Sequence, residues 1–67
     1  MSTYKRLGER IKSLRKQKDL TQEKLAELAK VDPKSIIQIE GGKRNPTYKT
    51  LGRIASALNV RISKLLE

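Results

Sequence analysis

The chain has 67 residues, no cysteine and no histidine, and a formal net charge of +9 from 16 Lys+Arg against 7 Asp+Glu. This length predicts one domain spanning residues 1–67, and the composition excludes disulfides, thiolate or imidazole metal sites, and His- or Cys-based catalysis. The charge implies a polyanionic partner, nucleic acid before an anionic membrane, while the lack of Phe and Trp disfavours single-strand binding through stacked aromatics.

The first predicted helix covers about residues 3–18. Tyr4, Leu7, Ile11 and Leu14 fall on one helical stripe. Lys5, Arg6, Lys12, Lys16 and Lys18 lie mostly off it and read as a solvated face. Gly8 inside this helix costs up to ~1 kcal/mol relative to Ala. Whether close packing offsets that cost is open from the sequence.

The second helix starts after Thr21, a good N-cap because its hydroxyl can accept from an otherwise orphan backbone N–H. Leu25, Leu28 and Ala29 are expected on its buried side, with Ala26 beside them. Lys30-Val31-Asp32 forms the turn, with Val31 as an apolar plug.

The third helix starts at Pro33 behind Asp32, since the carboxylate caps and Pro is tolerated at the first helical position. Ile36 and Ile39 are expected to face the core, with Lys34, Ile37 and Gln38 pointing away and Ser35 between the two sets. Gly41-Gly42 ends the helix where a positive φ is cheap.

The fourth helix runs from about Tyr48 to Leu58, capped by Thr47. Leu51, Ile54, Ala55 and Leu58 form its apolar stripe, and Asn59 suits a left-handed end. A short fifth helix is expected over about Ile62–Leu66. The fold class is thus all-α: five short helices, with helices 2 and 3 forming a helix-turn-helix.

Such a unit can press its second helix into the major groove of DNA. Lys34 and Gln38 stand four apart on one face. Lys can donate to guanine O6 and N7, and Gln can pair bidentately with adenine. Pro33 and Ile37 flank them. Outside the core, Ile37 would suit a thymine methyl; a core or protein contact is its alternative. Gln22 sits in the first turn of helix 2, where the helix dipole favours an anion. Ser35, Gly41, Lys43, Arg44 and Asn45 are the other expected phosphate contacts: a hydroxyl and a basic Gly-rich loop whose backbone N–H groups can approach closely. No nucleophile–base arrangement is readable, so no catalytic residue, metal site or cofactor is expected.

Three blocks in register carry a family resemblance: LTQEKLAELA, then V-x-x-x-S-I-x-Q-I-E-x-G-K-R-N-P, then TLxRIAxALNV. Over nearly the full chain this resembles the lambda-repressor-like helix-turn-helix family, the XRE family of transcriptional regulators. The resemblance implies a five-helix DNA-binding domain with base-reading positions at Lys34 and Gln38 and a phosphate contact at Gln22. It also implies that Arg15 meets Glu40 in a structural ion pair. The sequence departs from the family at Lys30 and Asn59, where Gly is usual.

The expected function is a sequence-specific regulator of transcription that binds double-stranded DNA, specifically a repressor. The alternatives are an antitoxin or a restriction–modification controller of the same fold, or a protein-interaction adaptor. Four large apolar residues, Val60, Ile62, Leu65 and Leu66, crowd the chain end. Val60 and Leu65 are expected in the core, leaving Ile62 or Leu66 to mediate a homodimer. No apolar run approaches the roughly 20 residues of a membrane span, and MSTYKRLGERIK lacks the apolar core of a signal peptide. A cytoplasmic protein without a sensor domain or small-molecule ligand is expected.

Overall fold

The computed structural model describes residues 3–67, so the first two residues of the expected domain lie outside the described residues. Five helices follow in order: α1 (Thr3–Gln17), α2 (Gln22–Ala29), α3 (Pro33–Glu40), α4 (Tyr48–Ala57) and α5 (Ile62–Leu65). The expected all-α, five-helix architecture is borne out. α3 packs against both α1 and α2, α4 packs on α2, and α5 bridges α4 and α1.

The helix starts follow local chemistry. Thr21 Oγ1 accepts from the backbone N–H of Lys24 at 2.9 Å, and Asp32 Oδ1 accepts from that of Lys34 at 2.9 Å. Thr47 Oγ1 does the same for Thr50 at 3.1 Å. Each satisfies a donor that the first turn otherwise leaves orphaned.

The helix ends share one device. After α1, α2, α3 and α4 the chain turns through a left-handed residue: Asp19 (φ 57), Lys30 (φ 58), Gly42 (φ 73) and Asn59 (φ 58). The residue after each donates back into the helix: Leu20 to Arg15, Val31 to Ala26, Lys43 to Gln38 and Val60 to Ala55, all at 2.9–3.1 Å. This is the Schellman closure. Leu20, Val31 and Val60 also pack against the core, which explains why an L-residue is tolerated at three of the four turns. Lys30 therefore does adopt the left-handed conformation that its family position implies. Asp19 had no such signal, and Gly41, expected to share the positive φ, is right-handed at φ −80.

The core is formed by Leu7, Ile11 and Leu14 of α1, Leu25, Ala26 and Ala29 of α2, Ile36 and Ile39 of α3, the α4 stripe with Leu58, and Leu65. Two expectations need correction. Leu28 is 46% exposed, because α2 buries its small-residue face through Ala26 and Ala29 and leaves Leu28 at the rim of a groove beside Lys49 and Arg53. Tyr4, at the head of the α1 stripe, is also exposed.

Gly8 lies where α1 crosses the end of α3. A Cβ there would sit 2.7 Å from the Glu40 carbonyl oxygen and closer still to that of Ile39. Both are backbone atoms, so any side chain at position 8 would push the two helices apart. The close packing that the sequence left open is present, and it fixes the depth at which α3 is seated. A Cβ on Gly42 would likewise meet Lys5 Cα at 2.9 Å, so this turn needs glycine for space as well as for φ.

Candidate nucleic-acid interface

The inner end of α3 is anchored by a buried charge network. Arg15 Nε donates to Glu40 Oε2 at 2.7 Å and Arg15 Nη2 to Glu40 Oε1 at 3.1 Å, a two-pronged pair with both side chains nearly fully buried. Arg15 Nη1 donates to the Leu20 carbonyl at 2.7 Å, and Gln22 Nε2 donates to Glu40 Oε1 at 3.1 Å. Among the described residues, no buried side-chain N or O atom lacks a partner. The network thus ties α1, the α1–α2 turn, the start of α2 and the end of α3 into one unit. A buried pair is tolerable only when its remaining hydrogen bonds are made, and here they are.

This placement alters the reading of Gln22. One of its two amide protons is committed to Glu40, so the side chain couples the helix-2 terminus to the ion pair. The sequence offered no signal for that bond, because it joins residues eighteen apart in different helices.

The outer face of α3 is different in kind. Pro33, Lys34 and Ile37 are exposed, and Ser35 and Gln38 are half-buried. Ile37 is 53% exposed, which removes the alternative that it is a third core isoleucine. The loop after α3 returns along this face: Lys43, Arg44 and Asn45 are exposed, Pro46 is buried, and Thr47 starts α4. Arg44 does not extend freely into solvent. Its Nη1 donates to Ser35 Oγ at 2.7 Å and to Gln38 Oε1 at 3.3 Å, roofing a cavity of about 160 Å³ between α3 and α4. No local sequence pattern signals this coupling, since a loop separates the partners.

The structure therefore brings Arg44 of the loop onto Ser35 and Gln38 of α3 and leaves Pro33, Lys34, Ile37, Lys43 and Asn45 exposed, with Gly41 and Gly42 forming the turn between helix and loop. Ile62 and Leu66 belong to α5 and its C-cap, outside the helix-turn-helix. Ile62 packs partly against the core beside Gly52 of α4, whereas Leu66 is 61% exposed near Arg6 and Leu7 of α1. No described helix is long and apolar enough to cross a membrane.

Residues 8–67 match the family described as a helix-turn-helix domain. The immunity repressor protein of Bacillus phage phi105 is 38% identical over 60 residues, covering 90% of this chain and 42% of that protein. Control protein C.MunI of Mycoplasma sp is 39% identical over 61 residues, covering 90% of this chain and 82% of its own length. The crystal structure of the restriction-modification controller protein C.AhdI from Aeromonas hydrophila superposes with a TM-score of 0.94 at 31% identity, covering 97% of this chain and 98% of that one. This chain thus spans less than half the length of the phage repressor that it resembles. On the match over residues 8–67 and the five-helix architecture, the chain belongs to the helix-turn-helix domain family, of the lambda-repressor-like kind that its three sequence blocks imply.

Proposed function

We infer that this chain is a transcriptional regulator that binds double-stranded DNA sequence-specifically, with α3 in the major groove. The observation that carries the reading is the outer face of α3, where Lys34, Ile37 and Gln38 stand clear of the core on a helix seated rigidly from behind by Arg15, Glu40 and Gly8. In this reading Pro33, Lys34, Ile37 and Gln38 meet base edges. Gln22, Ser35, Gly41, Lys43, Arg44 and Asn45 meet phosphates and set the register. The role is regulatory and not catalytic, in the cytoplasm, and without a small-molecule ligand.

Reciprocal coverage with C.AhdI, and the likeness to C.MunI, favour a controller of a restriction–modification operon. The phage relative favours repression. A homodimer completes the reading, because one module of this size buries only about 600–1,000 Å² on DNA. Leu66, exposed at the end of α5, supports a self-association surface, with Ile62 a minor contributor. Sedimentation of the wild type and Leu66→Lys, free and on DNA, tests the dimer; a wild type that stays monomeric in both conditions rejects it.

The deciding experiment is selection of bound sequences from a random duplex pool, followed by titration of the best site at several salt concentrations. An enriched motif, and log affinity falling with log salt at about −0.9 per phosphate neutralised, is expected. Binding without an enriched motif would leave a protein-interaction adaptor as the better reading.

A further inference from the structure

We propose that Arg44 is a specificity-determining residue, holding the Gln38 carboxamide so that its NH2 faces outward and Gln38 reads guanine in place of adenine. The inference rests on the reading of α3 as the major-groove helix.

The geometry starts at Arg44 Nη1, which carries two protons. One goes to Ser35 Oγ at 2.7 Å and the other to Gln38 Oε1 at 3.3 Å. Ser35 and Gln38 are three apart, so they are neighbours on the helix surface and one nitrogen can reach both. The guanidinium fixes which way the carboxamide points. Exchanging its oxygen and nitrogen would set the Gln38 NH2 against the NH2 of arginine, donor facing donor beside a full positive charge. The orientation with Oε1 towards Arg44 is the one that electrostatics permits.

That orientation changes what Gln38 can read. A bidentate pair with adenine requires Oε1 to accept from N6 while Nε2 donates to N7. Here the oxygen already faces a cation, and the N6 donor of adenine would approach the guanidinium protons. Guanine instead presents two acceptors in the major groove, O6 and N7. Either can accept an outward proton of Nε2. Lys34, one turn earlier on the same face, can donate to the same kind of edge. Ser35 is polarised in the same sense. Its oxygen accepts from Arg44, so its hydroxyl proton is left to donate to a phosphate. Arg44 thus turns a patch that could read either purine into a surface of donors.

The test is parallel selection from a random duplex pool with the wild type, Gln38→Ala, Arg44→Met and Lys43→Met. The base read by Gln38 is the one whose preference collapses in Gln38→Ala. At that position the wild type should favour guanine over adenine by about tenfold. Arg44→Met removes the donors and keeps the stem, and it should bring that ratio to about one or reverse it. Lys43→Met should weaken binding on all sequences without altering the ratio. In the free protein, the Gln38 side-chain amide resonances should move on Arg44→Met and stay in place on Lys43→Met, a readout that needs no DNA. A wild-type preference for adenine there, an unchanged ratio in Arg44→Met, or an unmoved Gln38 amide overturns the proposal. So does a selected motif that Gln38→Ala leaves intact, although DNA reading itself then stands. If the wild type enriches no motif at all, the major-groove reading fails and takes this inference with it.

Discussion

Ile36, Ile39 and Glu40 turn one side of α3 into the centre of the molecule, whereas Lys34, Ile37 and Gln38, on the same eight residues, turn outward. On the inner side the ion pair has its hydrogen bonds made and the backbone of α1 lies within contact of the α3 carbonyls. A change there has nowhere to relax. On the outer side Lys34 and Ile37 are exposed and Gln38 is half-buried, outside the core, so their loss opens no core cavity. The difference teaches how eight residues can serve two purposes. The inner residues set where the helix sits, and the outer ones are free to be chosen for what they contact.

The largest effect expected from this division is at the ion pair. Glu40→Ala leaves the Arg15 guanidinium buried without its carboxylate, and Arg15→Ala leaves the reverse, each costing about 3–5 kcal/mol. That is a large share of the stability expected of a core this small, so both variants should unfold at far lower denaturant than the wild type. Denaturant unfolding of the two singles and the double should show the double losing less than the sum. Strict additivity would mean that the pair does not act as a unit.

Next comes the helix crossing. Gly8→Ala should destabilise by about 1–3 kcal/mol, because the added Cβ meets backbone oxygens that cannot swing aside. Gly52→Ala in α4 is its control. There the new Cβ would lie 3.7 Å from Ile62 Cδ1, ordinary contact, and removing a mid-helix glycine should stabilise by about 0.5–1 kcal/mol. Thermal melts of the two variants should therefore shift in opposite directions; a shared direction would remove Gly8 from the seating of α3.

The outer face should show the opposite profile. Lys34→Ala should change folding stability by no more than about 0.5 kcal/mol, yet cost about 1–3 kcal/mol on the best duplex site. Melting and duplex titration of one sample decide this. A large loss of stability with unchanged discrimination would break the division between the two faces.

The smallest effect is expected at the turn. Lys30 holds a left-handed conformation that a Cβ disfavours. Lys30→Gly should relieve that strain and stabilise by roughly 0.5–1 kcal/mol, the higher entropy of glycine in the unfolded chain offsetting part of the gain. A matching change at Asn59 should be smaller, since Asn tolerates the left-handed region better than Lys. Equal shifts in the two melts would remove that ranking.

Much of this was written in local sequence. Helix starts at Thr21, Asp32 and Thr47 are decided by a side chain bonding its own neighbour, and no tertiary contact is needed to read them. The stripe of α4 and the inward and outward residues of α3 follow from the helical period. Leu28 shows where that logic fails. Periodicity says that a position shares a face with others, but which part of that face is covered depends on where the neighbouring helix lies. Small residues at 26 and 29 drew α2 in on a line that passes Leu28 by.

By itself the sequence determined the helices, the N-caps of α2, α3 and α4 and the face of α3 that looks outward, because each depends on residues within a turn or two of one another. Tertiary structure alone decided the rest: the close approach over Gly8, the turning of Gln22 inward to Glu40, and the clasp of Arg44 on Ser35 and Gln38. Those contacts join separate elements at distances of a few ångströms. They depend on how the elements pack, which local periodicity does not encode.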